Sequence, residues 1–188
     1  MEEVAIVILN WNGKNYLEQF LPSVILHSEN AKIIVADNDS TDDSIGFLQE
    51  HYPKIQLIQN KINGGFAKGY NDALKQIDSK FYLLLNSDIE VTKDWLVPLM
   101  KVMQDDSVAG CQPKVLSYHQ KDFFEHAGAS GGYLDKNYYP FCRGRIFDSV
   151  EKDHGQYNGA TEVFWGSGAC LLIRSELFHN VGGFDEDF

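Results

Sequence analysis

The chain has 188 residues, of which 44% are hydrophobic and 23% charged, a composition typical of one folded domain. Its formal net charge of −11 argues against a nucleic-acid partner, because neutralising phosphates requires a basic face. Three cysteines without a CxxC pair argue against a disulfide scaffold, and we find no signal peptide and no run of about 20 apolar residues. We therefore expect a cytoplasmic protein without a transmembrane segment, either free or peripheral at the inner face of a membrane.

Apolar, β-branched segments alternate with segments of helical periodicity through residues 1–116. Strands are predicted at residues 4–10, 32–37, 55–60, 80–86 and, less regularly, 107–116, and helices at 13–28, from 44 onward, at 66–77 and at 92–104. Because the strands are apolar along their whole length, both faces of the sheet must be covered. This order predicts an α/β fold, an αβα sandwich around a mostly parallel, Rossmann-like central sheet.

The second half of the chain has a different character. Residues 117–160 are rich in Gly, Tyr and Phe and lack a helical period, which predicts irregular hairpins and loops. A strand and a short helix from Ser175 follow, and Gly182-Gly183 is expected to end that helix. We place a boundary near residue 116, but the later part is too small to fold alone and is predicted to belong to the same domain.

Polar residues stand at the ends of four predicted strands. Right-handed crossovers place the carboxyl ends of parallel strands along one edge, where such sheets bind ligands. The four ends are Asn10-Trp11-Asn12, Asp37-Asn38-Asp39, Asn60 to Gly65 and Asn86-Ser87-Asp88. Core packing does not require this recurrence, so we expect a binding site along that edge.

The second and third strand ends each have two interpretations. Asp37 could accept hydrogen bonds from a nucleobase N–H or from ribose hydroxyls, whereas the residues behind it, Ser40 included, could equally cap the next helix. Asn63-Gly64-Gly65 would let a ligand approach the backbone at a helix N-terminus. The same residues also suit a tight turn between a strand and a helix.

The fourth strand end supplies Asp88. Mg²⁺ and Mn²⁺ prefer carboxylate oxygens and bind nucleotides through one or two of them plus substrate phosphates. Asp88 could hold such a cation against a diphosphate, or it could form an Asx turn with its own backbone. The sequence contains no Walker A motif, no paired zinc ligands and no G-x-S-x-G elbow. The three other polar strand ends favour the metal hypothesis.

Five blocks in order carry a family resemblance: VAIVILNWNG, IIVADNDSTDDS, NGGFAKGYNDAL, FYLLLNSDIEV and GSGACLLIRSELFHNVGGFDEDF. Together they resemble the family 2 glycosyltransferases, in particular the bacterial rhamnosyl- and galactosyltransferase-like branch. The resemblance implies a GT-A fold, with residues 1–116 as the nucleotide-sugar-binding half and 117–188 as the acceptor side. It also implies a Mn²⁺ or Mg²⁺ cofactor on Asp88, although Asn86 stands where the family's D-x-D-like motif has its first aspartate.

The resemblance also implies the site residues and the substrates. The nucleotide-sugar site would comprise Asn10, Asn12, Asp37, Asn38, Ser40, Asn63, Gly64, Gly65, Lys68, Asn86, Ser87 and Asp88. The pocket for the donor sugar and the acceptor would comprise Trp165, Gly166 and Ser167. The implied partners are a nucleotide-diphosphate sugar donor and a saccharide or lipid-linked saccharide acceptor, in cell-surface polysaccharide synthesis.

An inverting reaction follows from the same resemblance. An acceptor hydroxyl would attack the anomeric carbon while an aspartate removes its proton, and the nucleoside diphosphate would leave from the opposite face. The family's base lies in an acidic block shortly after GGFDE, which puts it beyond Phe188 and predicts that this chain is a fragment of a longer protein. Asp185 and Asp187 are the weak candidates within the chain.

Two alternatives stay open from the sequence. One is a nucleotide-sugar-binding module without turnover, because the block that carries the base is missing. The other is a nucleotidyltransferase, a class that usually has a glycine-rich, basic loop after its first strand. Residues 10–14 contain one basic residue, Lys14, which does not favour this second alternative.

Overall fold

A computed structural model describes residues 3–126 and 129–187. Its strands are β1 Val4–Asn10, β2 Lys32–Asp37, β3 Gln56–Gln59, β4 Phe81–Asn86, β5 Gly110–Cys111, β6 Gly132–Leu134, β7 Pro140–Cys142, β8 Arg145–Ile146, β9 Ser149–Val150 and β10 Cys170–Arg174. Its helices are α1 Lys14–His27, α2 Ser44–His51, α3 Gly65–Leu74, α4 Leu96–Val102 and α5 Ser175–Asn180. The strands and helices predicted for residues 4–104 are confirmed, with ends that differ by a few residues.

The main sheet has six strands in the order β3-β2-β1-β4-β10-β5. Its first four strands are parallel, while β10 is antiparallel to both β4 and β5. Asn10 pairs with Asp37 and Leu9 with Asn86, so the carboxyl ends of β2, β1 and β4 lie side by side. The prediction of a mostly parallel sheet with its polar ends along one edge is confirmed.

Two hydrophobic clusters cover the two faces of this sheet. Along β4, Phe81, Leu83 and Leu85 belong to one cluster, while Tyr82 and Leu84 belong to the other. Helices α1, α2 and α4 contribute to the first cluster, and α3 and α5 to the second. Burying such side chains contributes about 1.5–3 kcal/mol each, so a continuously apolar strand requires helices on both sides. The predicted αβα sandwich is confirmed.

The second half of the chain builds a small antiparallel sheet, β6-β7-β8-β9, as the predicted hairpins suggested. A β-bridge between Gly132 and Trp165 connects this sheet to the segment that leads into β10. Since β10 lies between β4 and β5, residues on both sides of position 116 share the main sheet.

The fifth predicted strand, residues 107–116, is much shorter than expected. Only Gly110–Cys111 pair with the main sheet. Pro113 has no N–H to donate, and the N–H of Val115 donates to the carbonyl of Ala129 near the small sheet. The chain therefore leaves the main sheet after two residues.

Helix α5 ends as predicted. Gly182 and Gly183 have φ angles of 90° and 85°, and their N–H groups donate to the carbonyls of His179 and Phe178. This Schellman arrangement is available to glycine without steric cost. Within residues 3–126 and 129–187, no helix has the length and apolar character needed to cross a membrane.

Candidate functional site

Buried hydrogen bonds join the ends of β1 and β2. Asn10 Nδ2 donates to Asp37 Oδ2 at 2.9 Å and to Ser40 Oγ at 3.2 Å, and the Ser40 N–H donates to Asp37 Oδ1 at 2.9 Å. Asn10 and Asp37 are both 0% exposed. Asp37 thus positions the loop that follows β2. A direct contact between its carboxylate and a nucleobase or ribose, as expected from the sequence, would require these hydrogen bonds to open.

Asn12 connects the same two loops on the outside of the edge. It has a left-handed backbone, with φ 50°, and its Oδ1 accepts the N–H groups of Thr41 at 2.7 Å and Asp42 at 3.1 Å. Asp42 in turn accepts the first N–H of α1, from Lys14, at 3.1 Å. Burial works to raise the pKa of Asp42, but hydrogen bonds from Ser44 and Lys14 outweigh it and hold the pKa below its usual value.

A second network of asparagines joins β2, β3 and the start of α3. Asn38, which is 2% exposed, donates from Nδ2 to Asn63 Oδ1 at 2.8 Å and accepts from Asn60 Nδ2 at 3.0 Å. Asn63 Oδ1 also accepts the N–H of Gly65, whose φ of 76° suits glycine. A Cβ at Gly69 would lie 3.1 Å from the Asn38 amide, so glycine permits α3 to approach the edge. The predicted glycine turn is therefore present and is fixed from β2.

Asp88 is exposed at the end of β4, beside Asn86 and Ser87. Within the part of the chain that the structure describes, its carboxylate has no hydrogen bond or ion pair, so the alternative of an Asx turn is not realised. It borders a cavity of about 810 Å³ between the end of β4 and residues 113–126. The cavity walls include Asn86, Trp95, Lys114, Tyr118, Lys121 and His126.

The predicted metal site was tested against the side chains around Asp88. Among residues 3–126 and 129–187, no group of three or more His, Cys, Asp or Glu side chains could hold a metal ion. One carboxylate suffices for Mg²⁺ or Mn²⁺ when nucleotide phosphates and water complete the coordination. The residues present therefore fit a cation that arrives with a diphosphate.

Lys68, expected beside the nucleotide, is paired within the protein. Its Nζ lies 2.8 Å from Asp72 Oδ2 and 3.9 Å from Glu186 Oε2. The hydrogen bond that Lys68 donates to Asp72 raises the pKa of Lys68, and the same contact lowers the pKa of Asp72. Neighbouring carboxylates thus already balance the Lys68 charge, and its predicted contact with the nucleotide stays a prediction. Gly64 accommodates the Lys68 stem, since a Cβ at Gly64 would lie 2.7 Å from Lys68 Cδ.

The two weak candidates for the general base lie on a segment that is fixed to α3. Asn71 donates from Nδ2 to the carbonyl of Phe184 at 2.9 Å and accepts the Phe184 N–H at 2.9 Å. Asp185 Oδ1 accepts the N–H of Asp187 at 3.0 Å, and both carboxylates are exposed. Neither residue borders the 810 Å³ cavity that contains Asp88. The predicted acidic block lies outside the described residues.

Trp165, Gly166 and Ser167 connect the two sheets. The Trp165 indole packs on Gly132, where a Cβ would come within 2.3 Å of Cε2, and the Ser167 N–H donates to Gln112 Oε1. None of the three residues borders the 810 Å³ cavity. Their predicted role in a pocket for the donor sugar and the acceptor stays a prediction.

Sequence reasoning missed the far wall of the cavity. The wall includes Lys114, in the part of the fifth predicted strand that does not pair with the main sheet, and Tyr118, Lys121 and His126, in a segment without helical or strand periodicity. The available signal was the alternation of basic and aromatic side chains after Pro113.

Comparison with known proteins identifies the family. The model of the family described as "Glycosyl transferase family 2" matches residues 5–182. The chain belongs to glycosyl transferase family 2. Membership confirms the resemblance drawn from the five sequence blocks, and it favours a sugar transferase over a nucleotidyltransferase.

Similar members of family 2 include two rhamnosyltransferases. The N-acetylglucosaminyl-diphospho-decaprenol L-rhamnosyltransferase of Mycobacterium tuberculosis is 22% identical over 201 residues, and the match covers 98% of this chain and 66% of that protein. The rhamnosyltransferase WbbL of Escherichia coli is 24% identical over 193 residues, covering 98% of this chain and 71% of the relative. The chain thus spans about two thirds of the length of these curated relatives.

A solved structure supports the fold. The mannosyltransferase PcManGT from Pyrobaculum calidifontis, in complex with GDP-Man and Mn²⁺, aligns with a TM-score of 0.65 at 19% identity, over 98% of this chain and 48% of that one. At this identity the likeness concerns the fold, which is GT-A as the resemblance implied.

Proposed function

We propose that the protein is an inverting glycosyltransferase that moves a sugar from a nucleotide-diphosphate donor to a hydroxyl acceptor, in the synthesis of a cell-surface polysaccharide. Membership of family 2 supports the reaction class. The observation that carries the proposal is the edge formed by β2, β1 and β4. Two largely buried amide networks lie there beside the carboxylate of Asp88, which has no partner among the described residues. We propose a lipid-linked saccharide as the acceptor, because the name of one relative contains the lipid-linked group N-acetylglucosaminyl-diphospho-decaprenol.

Each part of this edge has a distinct task in the proposal. The Asn10–Asp37–Ser40 and Asn38–Asn63 networks hold the loops at which the nucleoside would bind, so little ordering is required on binding. Asp88 would hold Mn²⁺ or Mg²⁺ against the donor diphosphate. A bound divalent cation supplies charge neutralisation for the departing nucleoside diphosphate. Asn86 and Asp88 then border the cavity in which the sugar and the acceptor would meet.

The general base is proposed outside residues 3–126 and 129–187. Asp185 and Asp187 are separated from the cavity by their attachment to α3 through Asn71, which disfavours them as the base.

Binding of UDP, GDP and dTDP to the full chain, measured by calorimetry with and without Mn²⁺, tests the proposal. We expect Mn²⁺ to strengthen the binding of at least one of these nucleotides. Asp88→Ala should abolish that increment and weaken the metal-assisted binding by at least about tenfold, as expected for losing one charge-assisted contact.

Glu29→Ala is the matched control, because Glu29 is an exposed carboxylate in the loop before β2, at the opposite edge of the sheet from Asp88. It should leave nucleotide binding unchanged. Metal-assisted binding that survives Asp88→Ala would refute the assignment of Asp88. Nucleotide binding without donor hydrolysis or transfer, in a screen of nucleotide sugars with the full-length protein, would favour the alternative of a binding module.

A further inference from the structure

Two hairpin tips of the small sheet carry exposed aromatic side chains. Tyr138 and Tyr139, between β6 and β7, are 82% and 70% exposed, and Phe147, between β8 and β9, is 87% exposed. Since β6, β7, β8 and β9 are successive antiparallel neighbours, both hairpins turn at the same end of the sheet. The three rings therefore form one projecting surface, which we call the aromatic tip.

Both turns place an aromatic residue where glycine or asparagine is usual. Tyr138 has φ 66° and Phe147 has φ 50°, in the left-handed region that is unfavourable for bulky side chains. The first turn is well defined, because Asp135 Oδ1 accepts the N–H groups of Asn137 at 2.7 Å and Tyr139 at 2.9 Å. Folding alone would favour glycine or asparagine at both positions, so the stability of the turns does not account for the two rings.

The size and charge of the aromatic tip indicate what it contacts. An aromatic side chain buries about 150–250 Å² of surface when it is fully covered. Three such side chains at this exposure could bury on the order of 500 Å² against a partner. A stable protein partner requires about 800 Å² per side, whereas a lipid interface accepts a projecting tip without a complementary surface. Tyrosine and phenylalanine suit that interface, because the rings enter the headgroup region while the tyrosine hydroxyl remains hydrated.

The charge around the aromatic tip is also compatible with a membrane. Residues 132–150 contain three basic and two acidic side chains, a net charge of +1, in a chain whose net charge is −11. Lys136 is exposed within the first turn. Electrostatic repulsion from a negatively charged lipid surface is therefore weaker at this end of the molecule than at the acidic remainder. Because the remainder is acidic, zwitterionic headgroups are favoured over anionic ones.

We propose that the aromatic tip, Tyr138, Tyr139 and Phe147, inserts into the interface of a lipid bilayer rich in zwitterionic headgroups. Such insertion would hold the protein at the surface on which a lipid-linked acceptor resides. The inference concerns membrane binding and does not depend on sugar transfer, because it is measured without nucleotide or acceptor.

Flotation of the full chain with phosphatidylcholine vesicles tests this inference. Wild-type protein should float with the vesicles, and adding phosphatidylglycerol should reduce the bound fraction. The double variant Tyr138→Asn, Phe147→Asn should lower the partition coefficient by at least about tenfold, since it removes two buried rings. Asparagine tolerates the left-handed backbone, so the thermal midpoint should not fall.

Tyr16→Gln is the matched control, because Tyr16 is a 52% exposed aromatic on α1, outside the tip. It should bind vesicles like the wild type. The proposal is overturned if wild-type protein stays out of the vesicle fraction, or if the double variant floats equally well. It is also overturned if the wild type is a dimer in solution and the double variant a monomer, which would identify the tip as a self-association surface.

Discussion

Asp37 and Asp88 are both aspartates at strand ends, yet the fold gives them opposite surroundings. Asp37 is fully buried and accepts hydrogen bonds from Asn10 and Ser40. Asp88 is exposed beside a cavity, without an intramolecular partner among the described residues. One carboxylate therefore stabilises the edge and the other remains available to a cation.

Asp37→Ala should destabilise the protein by about 2–4 kcal/mol, because it leaves the Asn10 amide and the Ser40 N–H without their acceptor in a buried site. Urea unfolding followed by circular dichroism measures the loss. The control is Asp39→Asn, since Asp39 is exposed with φ 64°, a conformation that asparagine also tolerates. It should change the free energy of unfolding by less than about 0.5 kcal/mol. An equal loss in both variants would show that the Asp37 network is not what stabilises the edge.

Helix α3 connects the edge formed by β2, β1 and β4 to the acidic segment at residues 183–187. The N-terminal turn of α3 follows the Asn38–Asn63 network. In the middle of the helix, the Asn71 side chain makes two hydrogen bonds with the backbone of Phe184. A Cβ at Gly183 would lie 2.5 Å from Asn71 Oδ1, so glycine is required where the segment crosses the helix. The same helix thus fixes both loops relative to the sheet.

Asn71→Ala should release this segment from α3. Amide hydrogen exchange of residues 183–187, followed by mass spectrometry, should accelerate, and stability should fall by about 1–2 kcal/mol. Lys75→Ala, which removes a largely exposed side chain next to the same helix, should change neither quantity. Unchanged exchange in Asn71→Ala would mean that other contacts, such as the packing of Phe184 against Phe66, hold the segment.

The two sheets differ in how much apolar surface packs against them. The main sheet has a hydrophobic cluster on each face, whereas the strands of the small sheet have two or three residues and, apart from Gly132, none of these residues is fully buried. Local opening is easiest where few apolar groups are buried. The small sheet is therefore expected to open before the main sheet.

Brief digestion of the native protein with chymotrypsin measures this order. The first cuts should fall after Tyr138 and Phe147, because their turns are exposed and little buried surface is lost on opening, whereas Pro140 protects the bond after Tyr139. Tyr16 provides an internal control, since it is 52% exposed but lies within α1. Cleavage at Tyr16 before the hairpin tips would contradict the expected difference between the two sheets.

The framework of the main sheet follows from the amino-acid sequence without tertiary information. Uninterrupted apolar strands such as Val4–Asn10 and Phe81–Asn86 require cover on both faces, and this condition leaves a parallel α/β sandwich with its polar strand ends along one edge. The family could also be inferred from the sequence, because the five blocks are recognisable by their residues and spacing without any tertiary contact.

Which polar side chains at that edge are buried in hydrogen-bond networks, and which stay exposed to a ligand, follows from the tertiary structure. The burial of Asp37 depends on Asn10, and Glu186 approaches Lys68 from the other end of the chain. The exposure of Asp88 likewise depends on how distant segments pack around it. The common end of the hairpins at Tyr138 and Phe147 likewise follows from strand pairing. Periodicity reports which face of an element is apolar, but it carries no information about which polar groups meet across loops.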